Sequence, residues 1–251
     1  MKLSNTAAVI TGGASGLGEA TARHFAANGA QVTLLDRDAE RGPKIAQEIG
    51  GHFVQTDVTN DDSVAAAIAY AIEKMGKITT AVNCAGIGTV GKTLGKEGPL
   101  PLSTFQTTIN VNLVGSFNVA RLAAAEMAKN DPDEDGERGV IINTASVAAF
   151  DGQRGQVSYS ASKGGIVGMT LPMARDLARD NIRVMAIAPG IFLTPMLMGL
   201  PEAAQEQLAA DVPNPARLGR PEEYGRMAGF IVEMGYLNGE VIRIDGALRM
   251  R

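Results

Sequence analysis

The chain has 251 residues, 45% hydrophobic and 20% charged, and a net charge of −4. The apolar content suffices for one sizeable core, and the acidic balance gives no electrostatic footprint for nucleic acid or an anionic membrane. No apolar run reaches the roughly 18–20 residues that span a bilayer, and the lone cysteine, Cys84, excludes a disulfide within the chain.

In chain order, short apolar, β-branched runs fall at residues 7–10, 31–36, 52–58, 79–83, 140–142, 183–188 and 241–244. Helix-length segments rich in Ala and Leu separate them. Runs that are apolar throughout suit strands covered on both faces. The alternation predicts an α/β fold: one Rossmann-like, doubly wound parallel sheet of about seven strands with helices on both faces. A single domain over 1–251 is expected, with a cofactor part at about 1–135 and a catalytic and substrate part at about 136–251. The opening residues carry no secretory signal or presequence, so a cytoplasmic protein is expected. His24 and His52 have no ligand-like neighbours, so no metal is expected.

After the first run comes Thr11-Gly12-Gly13-Ala14-Ser15-Gly16-Leu17-Gly18. Glycines 12, 16 and 18 let the backbone turn tightly and approach a pyrophosphate at a helix N-terminus. The spacing is not GxGxxG, and a merely structural turn can be as glycine-rich. Asp36 ends the second run, where a carboxylate accepts from an adenosine ribose and repels a 2′-phosphate. That favours NAD over NADP, although Arg37 beside it can soften the preference. Asp57 and Val58 end the third run, and Asn83-Cys84-Ala85-Gly86 the fourth, on the same edge. Cys84 has no basic neighbour and reads as a small packed residue. Residues 91–102 and 130–139 read as surface loops, the second an acidic, solvated tip.

Ser146 is expected to end the fifth strand, 13 residues before Tyr159. Tyr159 and Lys163 stand four apart in a helix-length segment, which places them on one helical face. A tyrosine acting as a base near neutrality must fall from about 10 to about 7–8, and a nearby ammonium favours that. The Ser146 hydroxyl is placed to steady charge developing on a substrate oxygen. Residues 191–201 are apolar with two methionines; they either close over an elongated apolar substrate or pack a helix onto the core.

Together the Thr-Gly-xxx-Gly-x-Gly turn, Asn83-Cys84-Ala85-Gly86, Ser146 and Tyr159-xxx-Lys163 resemble the short-chain dehydrogenase/reductase family. Val111-Asn112-Leu113-Val114-Gly115, Pro189-Gly190 and Asp245-Gly246 extend the likeness over nearly the whole chain. Cys84 departs from it, standing where many members carry a polar residue. The resemblance implies Tyr159 as general acid/base, Lys163 holding the nicotinamide ribose and lowering the tyrosine, Ser146 orienting the substrate, and Asn112 holding a water in a proton relay. It also implies that Ser15, Leu17, Asp36, Asp57, Val58, Cys84, Phe192 and Thr194 line the dinucleotide, and that the protein is a homotetramer.

Residues 139–150, 159–178 and 238–247, and the insertion around 91–102, resemble the type II 3-hydroxyacyl-CoA dehydrogenases, which also oxidise hydroxysteroids. That implies NAD-dependent interconversion of 3-hydroxyacyl-CoA and 3-oxoacyl-CoA, with a mitochondrial matrix as the alternative compartment. Lys92 and Lys96 either meet CoA phosphates or only keep the surface soluble. Competing expectations are a reductase of carrier-protein, steroid or polyol substrates, and an NAD-binding scaffold or sensor without turnover.

Overall fold

The computed structural model describes residues 1–198 and 201–250, apart from the side chains of Met196 and Ala204. Seven strands form one sheet: β1 (Ala7–Thr11), β2 (Gln31–Asp36), β3 (His52–Gln55), β4 (Thr80–Asn83), β5 (Gly139–Thr144), β6 (Ile182–Pro189) and β7 (Val241–Ile244). Their spatial order is 3-2-1-4-5-6-7, and every pairing is parallel. The chain winds outward to β3 and returns to β4 beside β1. Where the winding reverses, the loops leaving β1 and β4 diverge and open a crevice beyond the strand C-termini.

Alternate side chains of each strand enter two separate cores. Val9, Ala81 and Ile141 pack with Val64 and Ile68 of α3 (Asp61–Met75) and Val119 and Met127 of α5 (Gly115–Met127). Ile10, Leu34, Val82 and Ile142 face the other way, against Phe25 of α1 (Gly16–Ala27) and Ala228 and Ile231 of α9 (Pro221–Glu233). Each of the larger side chains gains roughly 1.5–3 kcal/mol from burial. This two-sided covering is why the strands lack polar alternation.

Local signals set the ends of the helices, which also include α2 (Arg41–Glu48) and α8 (Glu202–Ala210). Asn60 caps α3 by accepting from the Ser63 N–H at 2.8 Å, and Asp61 and Asp62 complement its dipole. Gly76, with φ +78°, ends it in a left-handed turn. Pro221 opens α9, and Glu223 reaches back to the Arg220 N–H at 2.8 Å.

Several expected boundaries move. β3 stops at Gln55, so Asp57 and Val58 lie in the turn beyond it; the Ser63 hydroxyl accepts the Asp57 N–H there. β5 runs to Thr144, and Ser146 lies two residues further on, its hydroxyl capping a short turn at Val147–Ala149. Residues 91–102 contain a hairpin pairing Leu94–Gly95 with Gly98–Pro99, and α4 (Leu102–Ile109) begins at the end of that stretch. The acidic loop is not wholly solvated. Asp133 gathers the N–H groups of Asp135 and Glu137, turning Glu137 inward to a buried ion pair with Arg183. Arg183 also donates to the carbonyls of Ile231, Val232 and Leu237, at and beyond the end of α9. Among the described residues, no helix is long and apolar enough to cross a membrane.

Candidate active site

The crevice is a cleft of about 740 Å³. Its first wall is the glycine-rich turn. Gly12 has φ +65°, and a Cβ on Gly18 would lie 2.2 Å from the Gly12 carbonyl oxygen, so turn and helix touch backbone to backbone. Ser15 leads into α1 with no side-chain cap, which leaves first-turn N–H groups free to meet an anion. Asp36 stands alongside. Its two carboxylate oxygens accept from the Ala14 N–H at 2.9 Å and the Asp38 N–H at 3.0 Å. Each oxygen keeps a further lone pair for a ligand hydroxyl. The next turn supplies Asp57, held below the usual carboxylate range by the Thr59 hydroxyl and N–H, and buried Val58. Free helix N–H groups, glycines where the turn meets the helix and a carboxylate with spare acceptor capacity fit a dinucleotide.

The second wall comes from β4. Thr11 accepts from both Cys84 N–H at 3.1 Å and Ala85 N–H at 3.0 Å, tying the β4 exit to the β1 exit. Cys84, Ala85 and Gly86 line the cleft. Asn83 does not. It lies a layer below, its amide donating to Asn143 and to the Ser116 carbonyl. Burial pushes the Cys84 thiol up, which suits a packed residue rather than a nucleophile.

The third wall carries the proton chemistry. Tyr159 and Lys163 lie one turn apart near the start of α6 (Val157–Asp176), with the ammonium 5.7 Å from the ring centroid. Burial raises the Tyr159 phenol, and a hydrogen bond to Ser146 partly offsets this. Burial lowers Lys163 to about 8. Its ammonium donates to the Thr144 carbonyl at 2.7 Å. The tyrosine thus does not start with a lowered pKa; the apolar surroundings keep it protonated.

Asn112 also lies behind the wall, in a π-turn at Asn110–Val114 between α4 and α5. Its amide accepts the Ile87 N–H at 2.8 Å and donates to the Ile87 carbonyl and to Ser162, both at 3.0 Å. A Cβ placed on Gly86 would lie 3.2 Å from Asn112 Oδ1 and 3.7 Å from Lys163 Nζ, so both groups converge beneath that glycine.

Pro189, Phe192 and Thr194 close the cleft after β6. Phe192 is buried and bridges to Gly219. Of the apolar stretch 191–201, α7 (Pro195–Met198) borders the cleft through Pro195 and Leu197; Gly199, Leu200 and the Met196 side chain lie outside the described residues. Sequence reasoning missed Ile87, Val90, Gln156 and Met250 on the cleft wall. Gln156 had a local signal, being three residues before Tyr159. Met250 had none, because only the tertiary fold brings the C-terminal segment there.

The short chain dehydrogenase family pattern matches residues 6–205. The bovine protein "3-hydroxyacyl-CoA dehydrogenase type-2" is 56% identical over 97% of this chain and 95% of its own length. The crystal structure of 3-hydroxyacyl-CoA dehydrogenase type-2 from Mycobacterium avium superposes with a TM-score of 0.94 at 44% identity, covering 97% of this chain and 96% of that one. A 7α-hydroxysteroid dehydrogenase, solved with NADH and 7-oxo glycochenodeoxycholic acid, gives 0.88 at 30% identity over 99% and 96%.

Proposed function

Since the chain belongs to the short-chain dehydrogenase family, we propose that it interconverts 3-hydroxyacyl-CoA and 3-oxoacyl-CoA with NAD. The observation that carries this reading is the meeting of Ser146, Tyr159 and Lys163 in the cleft that Asp36 borders. When bound, the nicotinamide supplies or accepts a hydride at the substrate carbon. The residues of this chain handle the oxygen. Ser146 holds the carbonyl oxygen of a 3-oxoacyl substrate. Tyr159, kept protonated by burial, gives that oxygen its proton. The resulting phenolate is steadied by the Lys163 ammonium, which Thr144 anchors. In the oxidative direction Tyr159 must come down to act as a base, and Lys163 together with an oxidised nicotinamide supplies the positive charge. Asn112 fixes the Ile87 backbone and α6 around the lysine; its proposed hold on a relay water would use its remaining acceptor capacity. Gly12, Ser15, Gly16, Leu17 and Gly18 would take the pyrophosphate, and Asp36 the adenosine ribose. Asp57, Val58, Cys84, Ala85, Gly86, Pro189, Phe192 and Thr194 would line the rest; Asn83 supports them from below.

Lys92 and Lys96 sit on the exposed stretch around the 94–99 hairpin, whose base is fixed by Thr89 bonding Thr108 and Ser158, and by the Gly91 N–H donating to Gly155 at 2.8 Å. Val90, between these anchors, borders the cleft. This supports the lysines as contacts for CoA phosphates. The test is turnover of 3-hydroxybutyryl-CoA with NAD. Wild type should release NADH, and Tyr159→Phe should lose turnover by about 10²–10⁴-fold while still binding NAD and unfolding normally. Replacing Lys92 and Lys96 by Ala should raise KM for the CoA ester but not for a phosphate-free thioester. Equal KM values would remove the lysines from the account.

The steroid-bound relative favours hydroxysteroids as a second substrate class; turnover of a 7-oxo bile acid checks it. Exposed Phe117 on α5, Leu171 on α6, Phe230 on α9, and Met234 and Tyr236 just after α9 support a homotetramer. The cytoplasm is the proposed compartment, which cell fractionation tests.

A further inference from the structure

A tyrosine hydroxyl lies beneath the proposed active site, on a helix that contributes no residue to the cleft wall. Tyr224 of α9 is fully buried among apolar side chains. A phenylalanine would fill that space without the cost of burying a hydroxyl, so the hydroxyl needs a partner. It has one in Thr144, whose Oγ1 lies 2.6 Å away. Cys84 Sγ lies 3.7 Å from the same oxygen.

The direction of this chain of bonds follows from its end. Thr144 Oγ1 is 2.6 Å from the Asn83 carbonyl, which can only accept. The single hydroxyl proton of Thr144 is therefore committed to Asn83. Tyr224 must then donate to Thr144; the Cys84 sulfur lies within reach of both oxygens, 3.7 Å from Tyr224 and 3.6 Å from Thr144. The bonds run one way and pin the end of β5 to the end of β4. The carbonyl of this same Thr144 receives the Lys163 ammonium at 2.7 Å.

We propose that Tyr224 is a positioning residue for Lys163: its hydroxyl, donated through Thr144, fixes the carbonyl that holds the lysine's ammonium in place. The role in turnover rests on the ketone-reduction reading above, but the effect on Lys163 does not. Losing the anchor weakens a bond that the charged amine makes more strongly than the neutral one, so Lys163 gives up its proton at lower pH.

The test titrates Lys163 directly, by NMR of full-length protein carrying lysine labelled with ¹³C at Cε, the signal being assigned with Lys163→Met. Tyr224→Phe and Thr144→Val should each lower the Lys163 midpoint by about half a pH unit or more, the size of weakening one charge-assisted hydrogen bond. Thr144→Ser, which keeps the hydroxyl, should restore it. In acetoacetyl-CoA reduction, Tyr224→Phe should lower kcat by about three- to tenfold and move the alkaline limb of kcat/KM down with the titration. An unchanged Lys163 midpoint in folded Tyr224→Phe overturns the proposal. If that variant does not fold, equal midpoints in Thr144→Val and Thr144→Ser overturn it instead. The titration needs no substrate, so inactive wild type would count against the enzyme reading alone.

Discussion

Lys163 is asked to be charged and buried at once, and the two demands conflict. Burial brings its ammonium down to about 8, while the Thr144 carbonyl and the neighbouring phenol ring favour the charged form. Below that value the ammonium is present to steady a Tyr159 phenolate; above it the charge is lost. Ketone reduction should therefore fall as pH rises through about 8, and a pH profile of kcat/KM checks this. A rate still flat two pH units higher would show that the lysine charge is not needed. Tyr159 and Lys163 were legible in the sequence because a four-residue spacing is a helical contact that needs no tertiary information. Asn112 was legible only through resemblance, since the π-turn that presents it leaves no periodic trace. Thr144 and Tyr224 carried no signal, because 80 residues separate them and the fold alone brings their hydroxyls together.

The elements divide into those that hold groups in place and those that cover. α9 does both: its apolar face packs on α1, β5 and β6, and its N-terminus is built by Glu223. The Glu223 carboxylate accepts two bonds from Arg217, at 2.7 and 2.9 Å, and one from the Arg220 N–H, which hold it at about 2 against an ordinary 4.5. A depressed carboxylate stabilises fully above its unfolded value and loses that contribution as pH falls through its folded one. Glu223→Gln should cost about 1 kcal/mol at neutral pH, since the side chain is partly exposed. The gap should close between pH 4.5 and 2. Urea unfolding at pH 7 and pH 3 reads this directly; a gap that does not narrow would assign the effect to shape rather than charge. All seven strands were legible, because continuous apolar runs mark a sheet covered on both faces. Their ends were not. β3 stops early where Ser63 takes over the Asp57 N–H, and β5 ends at Thr144, where its backbone pairing with β6 stops at Ile187, short of Ser146. The acidic loop was misjudged for a similar reason: its composition is that of a solvated tip, but Glu137 has a buried arginine to reach.

At the scale of the whole molecule, a sheet of order 3-2-1-4-5-6-7 sets a dinucleotide-shaped cleft beside a helix carrying the tyrosine and lysine. The exposed aromatic and aliphatic side chains on α5, α6 and α9 should be covered by further copies of the chain. Light scattering should give four times the chain mass of 26.1 kDa; the mass of a single chain would leave those faces unexplained. In the reading proposed above, this cleft reduces a ketone with NADH, and Asp36 disfavours the 2′-phosphate of NADPH. The most direct test follows loss of the reduced-nicotinamide absorbance on mixing the protein with acetoacetyl-CoA and either cofactor. Rapid loss is expected with NADH and little with NADPH. No loss with either, in protein shown to bind NADH, would contradict that reading.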